Sequence, residues 1–127
     1  MRVFKNTWFN RFAGKEDITD NELKEIVNQL GKGQYDANLG GDVYKMRVAR
    51  SGEGKSGGFR VIVLFRNKER TFFVYGFAKS GQDNISKKEL KMLKEVAKEY
   101  FMMIPNQLEK RIKSGRLIEI LEIDHEG

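Results

Sequence analysis

Residues 43–84 read VYKMRVARSGEGKSGGFRVIVLFRNKERTFFVYGFAKSGQDN, and the order of residue types in this stretch decides the fold. Three runs rich in β-branched and aromatic side chains, Val43 to Ala49, Phe59 to Phe65 and Thr71 to Phe77, are separated by clusters of Arg, Lys and Gly. That is the pattern of a short antiparallel meander with cations gathered where its strands begin and end. In the first run, alternation sends Tyr44, Met46 and Val48 to one side and Lys45, Arg47 and Ala49 to the other. The second opens with Arg60 and continues Val-Ile-Val-Leu-Phe, apolar on both faces, which predicts a central strand. Arg66 to Arg70 reads as a charged hairpin turn. In the third run, alternation predicts that Phe73, Tyr75, Phe77 and Lys79 share one side. If exposed, that side offers rings to stack bases beside an ammonium group; if buried, the rings are core.

Between the first two runs lies Arg50-Ser-Gly-Glu-Gly-Lys-Ser-Gly-Gly58. Its glycines predict a flexible connection in which Lys55 and nearby backbone amides approach a phosphate closely. The Gly-Lys-Ser triplet does not make it a nucleotide-hydrolysing P-loop, because the required upstream glycine is missing and the segment leads into a strand, not a helix.

On the N-terminal side, Met1 to Lys5 reads as a short strand, followed by Trp8, Phe9 and Phe12 at helical spacing. These rings are expected to pin a short helix to the core. Thr19-Asp20-Asn21-Glu22 is a capping box, in which the Thr19 hydroxyl and Glu22 carboxylate satisfy otherwise unpaired amides. Leu23, Ile26, Val27 and Leu30 continue it as an amphipathic helix stopped by Gly31 and Gly33, and Gly40-Gly41 breaks the chain before the meander. On the C-terminal side, Ser86 to Glu89 is a second capping box. It opens a helix with an apolar stripe of Leu90, Leu93, Val96, Ala97, Tyr100 and Phe101 and a solvated face of lysines and glutamates. Pro105 begins another short helix that ends at Ser114-Gly115. Arg116 to Ile123 reads as a final strand or a strand-like tail, and His125 as part of an acidic tail. The reading is α+β: a small, mainly antiparallel β-sheet packed against N-terminal and C-terminal helices.

Length and charge narrow the classes. A chain of 127 residues suits one domain, residues 1–127, with a single modest core. Twenty-four Lys and Arg against eighteen Asp and Glu give a net charge of +6, which favours an acidic partner such as nucleic acid, an acidic protein or an anionic surface. The chain has no cysteine, which rules out disulfides and thiolate metal sites. MRVFKNTWFNRF lacks the apolar core of a signal peptide, and no apolar run reaches the roughly 18 residues of a membrane span. The expected location is cytoplasmic, with no membrane partner.

Together, Val43-Tyr-Lys-Met-Arg-Val-Ala-Arg, Gly52-Glu-Gly-Lys-Ser-Gly-Gly-Phe-Arg60, the strand pair after it, and Tyr75-Gly-Phe-Ala-Lys79 with Asp83-Asn-Ile-Ser resemble the RelE/ParE superfamily of bacterial type II toxins. Within it they are similar to the HigB-like branch, which carries a long GxGKxGGxR segment. The resemblance implies a RelE-like fold and a ribosome-dependent mRNA endonuclease held inactive by a cognate antitoxin, which also mainly sets the oligomeric state. It implies neither metal nor cofactor, because RNA supplies its own 2′-hydroxyl nucleophile.

By the same resemblance, Arg60 neutralises the scissile phosphate, and Arg47, Lys55 and Lys79 complete the catalytic set around it. Lys55 and Lys79, lysines crowded among cations, are the candidates for general base and acid. Lys45, Arg50, Tyr75 and Phe77 are the expected substrate contacts. Several relatives carry a tyrosine, or a His and Asp set, after this region. Here the chain reads Ser-Gly-Gln-Asp-Asn-Ile-Ser, which leaves the acid and base unassigned. Two alternatives stay open: a ParE-like toxin acting on DNA gyrase, and a non-catalytic module that grips nucleic acid or antitoxin.

Overall fold

The computed structural model describes residues 1–50, 54–82 and 84–120; the side chains of Arg50 and of residues 54–57 lie outside that description. The elements run β1 (Arg2–Asn6), α1 (Thr7–Lys15), α2 (Asp20–Gly31), β2 (Ala37–Gly40), β3 (Val43–Arg50), β4 (Gly54–Phe65), β5 (Arg70–Ala78), α3 (Lys87–Met102), α4 (Pro105–Lys113) and β6 (Leu117–Glu119). The strands form one sheet in the order β2-β3-β4-β5-β1-β6. Only β1 and β5 pair in parallel; the other pairings are antiparallel. This is an α+β fold of the RelE kind.

Helices cover both faces. One layer gathers Met46, Val48, Phe59, Val61, Val63 and Phe73 under Phe9, Leu23, Ile26 and Leu30 of α1 and α2. The other gathers Val43, Ile62, Leu64, Phe72 and Phe77 against Ala97 and Leu108 of α3 and α4. β4 contributes to both layers, as its two-faced apolar run requires: Val61, Ile62, Val63 and Leu64 are wholly buried. Both capping boxes form, with Thr19 and Ser86 each accepting from the amide three residues on while Glu22 and Glu89 return the bond. No helix among the described residues is long and apolar enough to cross a membrane.

Four differences from the sequence reading bear on the site. β4 begins at Gly54, so the backbone of the glycine-rich segment from Gly54 onward is drawn into the ladder, with Arg50 paired to Gly54. β2 is an additional strand; at four residues, ANLG, it is too short for a visible alternation. β5 carries a bulge: Phe73 faces Val63, Tyr75 faces Ile62, and Val74 is the extra residue. A one-residue insertion reverses the side on which later residues project. Phe73 therefore meets the Phe9 ring in the α1 layer, whereas Tyr75 and Phe77 project to the α3 side. Finally, β6 stops at Glu119 within the described residues, and His125 lies outside them.

Candidate functional site

The register assembles the site. Arg47 on β3 lies opposite Arg60 on β4, which lies opposite Phe77 on β5; in the adjoining row Lys45, Ile62 and Tyr75 align the same way. Alternation keeps these two rows on one face. Just beyond β5, the Lys79 amide donates to the Gly58 carbonyl at 3.0 Å, which holds the Lys79 backbone beside β4. Lys45, Arg47 and Arg60 thus share one face of the sheet, with the Lys79 backbone near the strand of Arg60.

Two arginines directly opposite each other repel. Here a carboxylate lies between them. Asp36, just before β2, holds Arg47 Nε at 2.8 Å on Oδ1, while its Oδ2 stands 3.5 Å from Arg60 Nε and 3.8 Å from Lys45 Nζ. The Asp36 side chain is 13% exposed and that of Arg60 only 6%, against 49% for Arg47. A buried guanidinium requires such compensation, and Arg60 gains more from the Phe59 carbonyl, 3.4 Å from its Nη1. Among the described residues three cations meet this one carboxylate, a setting suited to a phosphodiester. Beside Asp36 and Arg47 opens a groove of about 420 Å³, lined also by Gln29, Gln34, Tyr35 and Met46.

Aromatic rings border the other side. β1 gives way to α1 after Asn6, whose side-chain oxygen caps the helix and whose amide donates to the Val74 carbonyl. This turn sets Trp8 against Tyr75, ring centres 4.7 Å apart, with Phe12 stacked behind Trp8 at 5.2 Å. Trp8 is 40% exposed, so it is not the core residue that its helical spacing suggests; only Phe9 of the three is fully buried. Phe77, by contrast, is 6% exposed and belongs to the core layer. That burial corrects the expectation that Phe77 stacks a base: the accessible ledge is Trp8 with Tyr75. Burial, reinforced by the charge of Glu89, pushes the Tyr75 phenol above its ordinary pKa of 10. At neutral pH it therefore keeps its proton and acts as a donor.

Of the residues expected from sequence, Lys45, Arg47, Arg60 and Tyr75 come together, and the Lys79 backbone lies beside β4. The Arg50 and Lys55 side chains lie outside the described residues, although their backbones flank the site at the end of β3 and the start of β4. Asp36 and Trp8 join the site without having been expected there. Among the described residues no group of three or more His, Cys, Asp or Glu could hold a metal ion.

No individually curated protein matches the sequence. The sequence profile of one family, described as the RelE toxin of the RelE/RelB toxin–antitoxin system, matches residues 1–120. The α+β fold is consistent with that match, and the chain belongs to this family of toxins, each the partner of an antitoxin.

Proposed function

We propose that this toxin is an endoribonuclease that cuts mRNA on the ribosome by 2′-hydroxyl attack. The observation that carries the reading is the Arg47–Arg60 pair, set in register across two strands and backed by one carboxylate. A planar guanidinium matches two phosphate oxygens at once, so such a pair suits a phosphorane better than scattered lysines would. In the reaction, the 2′-oxygen forms a bond to the adjacent phosphorus as the bond from phosphorus to the 5′-oxygen breaks. The proton of the 2′-hydroxyl goes to a base, and the departing 5′-oxygen takes one from an acid. The products are a 2′,3′-cyclic phosphate, or the 3′-phosphate formed from it, and a 5′-hydroxyl. Lys55 and Lys79 are the proposed proton carriers, and the protonated Tyr75 phenol is a further donor at the face. Trp8 and Tyr75 are proposed to stack bases, and Lys45 and Arg50 to hold the flanking backbone.

The glycine-rich segment from Gly52 to Arg60 supports the HigB-like branch, and action at the ribosome requires a cytoplasmic location. We read residues 1–127 as one toxin domain whose oligomeric state is set mainly by its antitoxin. The deciding experiment induces the toxin briefly and maps mRNA 5′ ends with and without translation, then repeats the reaction on purified ribosomes with EDTA. Cuts inside translated codons, insensitive to chelation and ending in 5′-hydroxyls, are expected. DNA breaks or altered supercoiling without RNA cuts would point to gyrase. Salt-sensitive RNA binding without new ends would point to a gripping module.

A further inference from the structure

Asp36 has no part in the proposed chemistry, yet the cation cluster is built on it. Its own amide donates to the Lys45 carbonyl at 3.0 Å, which seats the residue against β3 before β2 begins. Its two oxygens are divided between the arginines, Oδ1 to Arg47 and Oδ2 to Arg60 and Lys45. Both arginines meet the carboxylate through Nε. For half-exposed Arg47, attachment there leaves the Nη edge of the fork to an incoming phosphate. For buried Arg60, Nε stands 3.5 Å from Oδ2 as an ion pair while Nη1 faces the Phe59 carbonyl. Among the described residues Asp36 is the one carboxylate that these three cations share.

We propose that Asp36 is a positioning residue: it presets Arg47 and Arg60 as one phosphate clamp and does not itself touch RNA. The effect on rate rests on the endoribonuclease reading; the effect on the arginines does not. Without Asp36 the two guanidinium groups repel and half-exposed Arg47 samples many orientations beside buried Arg60, so the clamp must be assembled in each catalytic event. Positioning and affinity should then move in opposite directions, since removing a negative charge strengthens the hold on a polyanion while loosening the clamp.

The test uses the full chain with Asp36→Asn, nearly the same in shape, and Asp36→Glu, which keeps the charge. With mRNA on ribosomes, Asp36→Asn should lower kcat by about 10- to 100-fold while KM stays level or falls, and Asp36→Glu should recover part of the rate. A merely structural role would reduce the fraction of active molecules and leave the single-turnover rate constant unchanged. In parallel, ¹⁵N spectra follow exchange of the arginine Nε–H protons with water. In the wild-type chain those of Arg47 and Arg60 should exchange at least about ten times more slowly than that of exposed Arg11, and in Asp36→Asn the Arg47 protection should vanish. Wild-type kcat in Asp36→Asn overturns the proposal, and so does fast Nε–H exchange in the wild-type chain. Because the exchange measurement needs only the wild-type chain, it can overturn the proposal even if Asp36→Asn does not fold. Should the wild-type chain cut no RNA, the endoribonuclease reading falls and exchange alone decides the role of Asp36.

Discussion

Arg60 shows how much of a site can rest on one side chain. It is buried, yet its removal leaves Asp36 held by Arg47 and Lys45, so Asp36 is not orphaned. Arg60→Ala is therefore expected to remain folded and to lose roughly 10²- to 10³-fold in single-turnover mRNA cleavage, the usual loss for one preorganised donor at a developing charge. Undiminished cleavage would remove Arg60 from the mechanism. Trp8 gives a second prediction at this scale. It is the chain's one tryptophan, so quenching of its fluorescence by a short single-stranded RNA reports directly on stacking. Trp8→Ala should weaken that RNA by about 1–3 kcal/mol, measured by anisotropy, with little change in the cleavage rate at saturation. The cations of this site were legible in the sequence because alternation on β3 and the position of Arg60 at the head of an apolar run fix their side. Asp36 was not, because a lone acid in Gln34-Tyr35-Asp36 carries no periodic signal and acquires its role only when β2 folds beside β3. The exposure of Trp8 likewise depends on where β1 stops, which its helical spacing cannot disclose.

Among the elements, β5 is where local pattern and tertiary structure disagree. Its apolar run made the strand plain, but the bulge at Val74 is invisible in residue types, since every neighbour is apolar and tolerates either face. Gly76, two residues on, meets α1 so closely that an added Cβ would lie 2.5 Å from a Phe12 ring carbon. Phe12 has little room to yield, with Trp8 stacked on one side and Phe59 edge-on at 5.8 Å. Gly76→Ala should cost about 1–3 kcal/mol by overpacking, seen in urea unfolding, and should shift Trp8 emission in the native state. The helices were the most legible elements, because a capping box followed by an apolar stripe specifies both the start and the buried face. The strand β2 was the least, at four residues, since pairing with a neighbour defines it more than its own sequence does.

Taken whole, the sheet is closed at one margin by the Asp36 cluster and at the other by a second arginine network. Arg2 on β1 grips Glu119 of β6 with two bonds of 2.8 Å, from Nε and Nη2, and reaches Glu109 of α4 from Nη1 at 2.8 Å. The first strand, the last strand and the last helix are thereby joined at the sheet edge. The Arg2 hydrogen bonds hold the Glu119 carboxyl below its ordinary pKa of 4.5, with a smaller opposing push from burial. A carboxylate whose folded pKa is depressed stabilises the fold fully above its unfolded pKa, and that contribution disappears as pH falls through the folded value. Glu119→Gln should therefore be less stable than the wild-type chain at pH 7, and the two should converge in acid below about pH 4.5. The pair is largely solvent-exposed, so the neutral-pH difference is expected at only about 0.2–1 kcal/mol and should shrink at high salt. Urea melts at pH 7 and pH 3, each at low and high salt, check both statements. A deficit that persisted unchanged in acid would mean that Glu119 contributes packing of its stem against β1 and not its charge. RNA cleavage at pH 7 should be unaffected, because Glu119 on β6 sits four strands away from Arg47 on β3 in the order of the sheet.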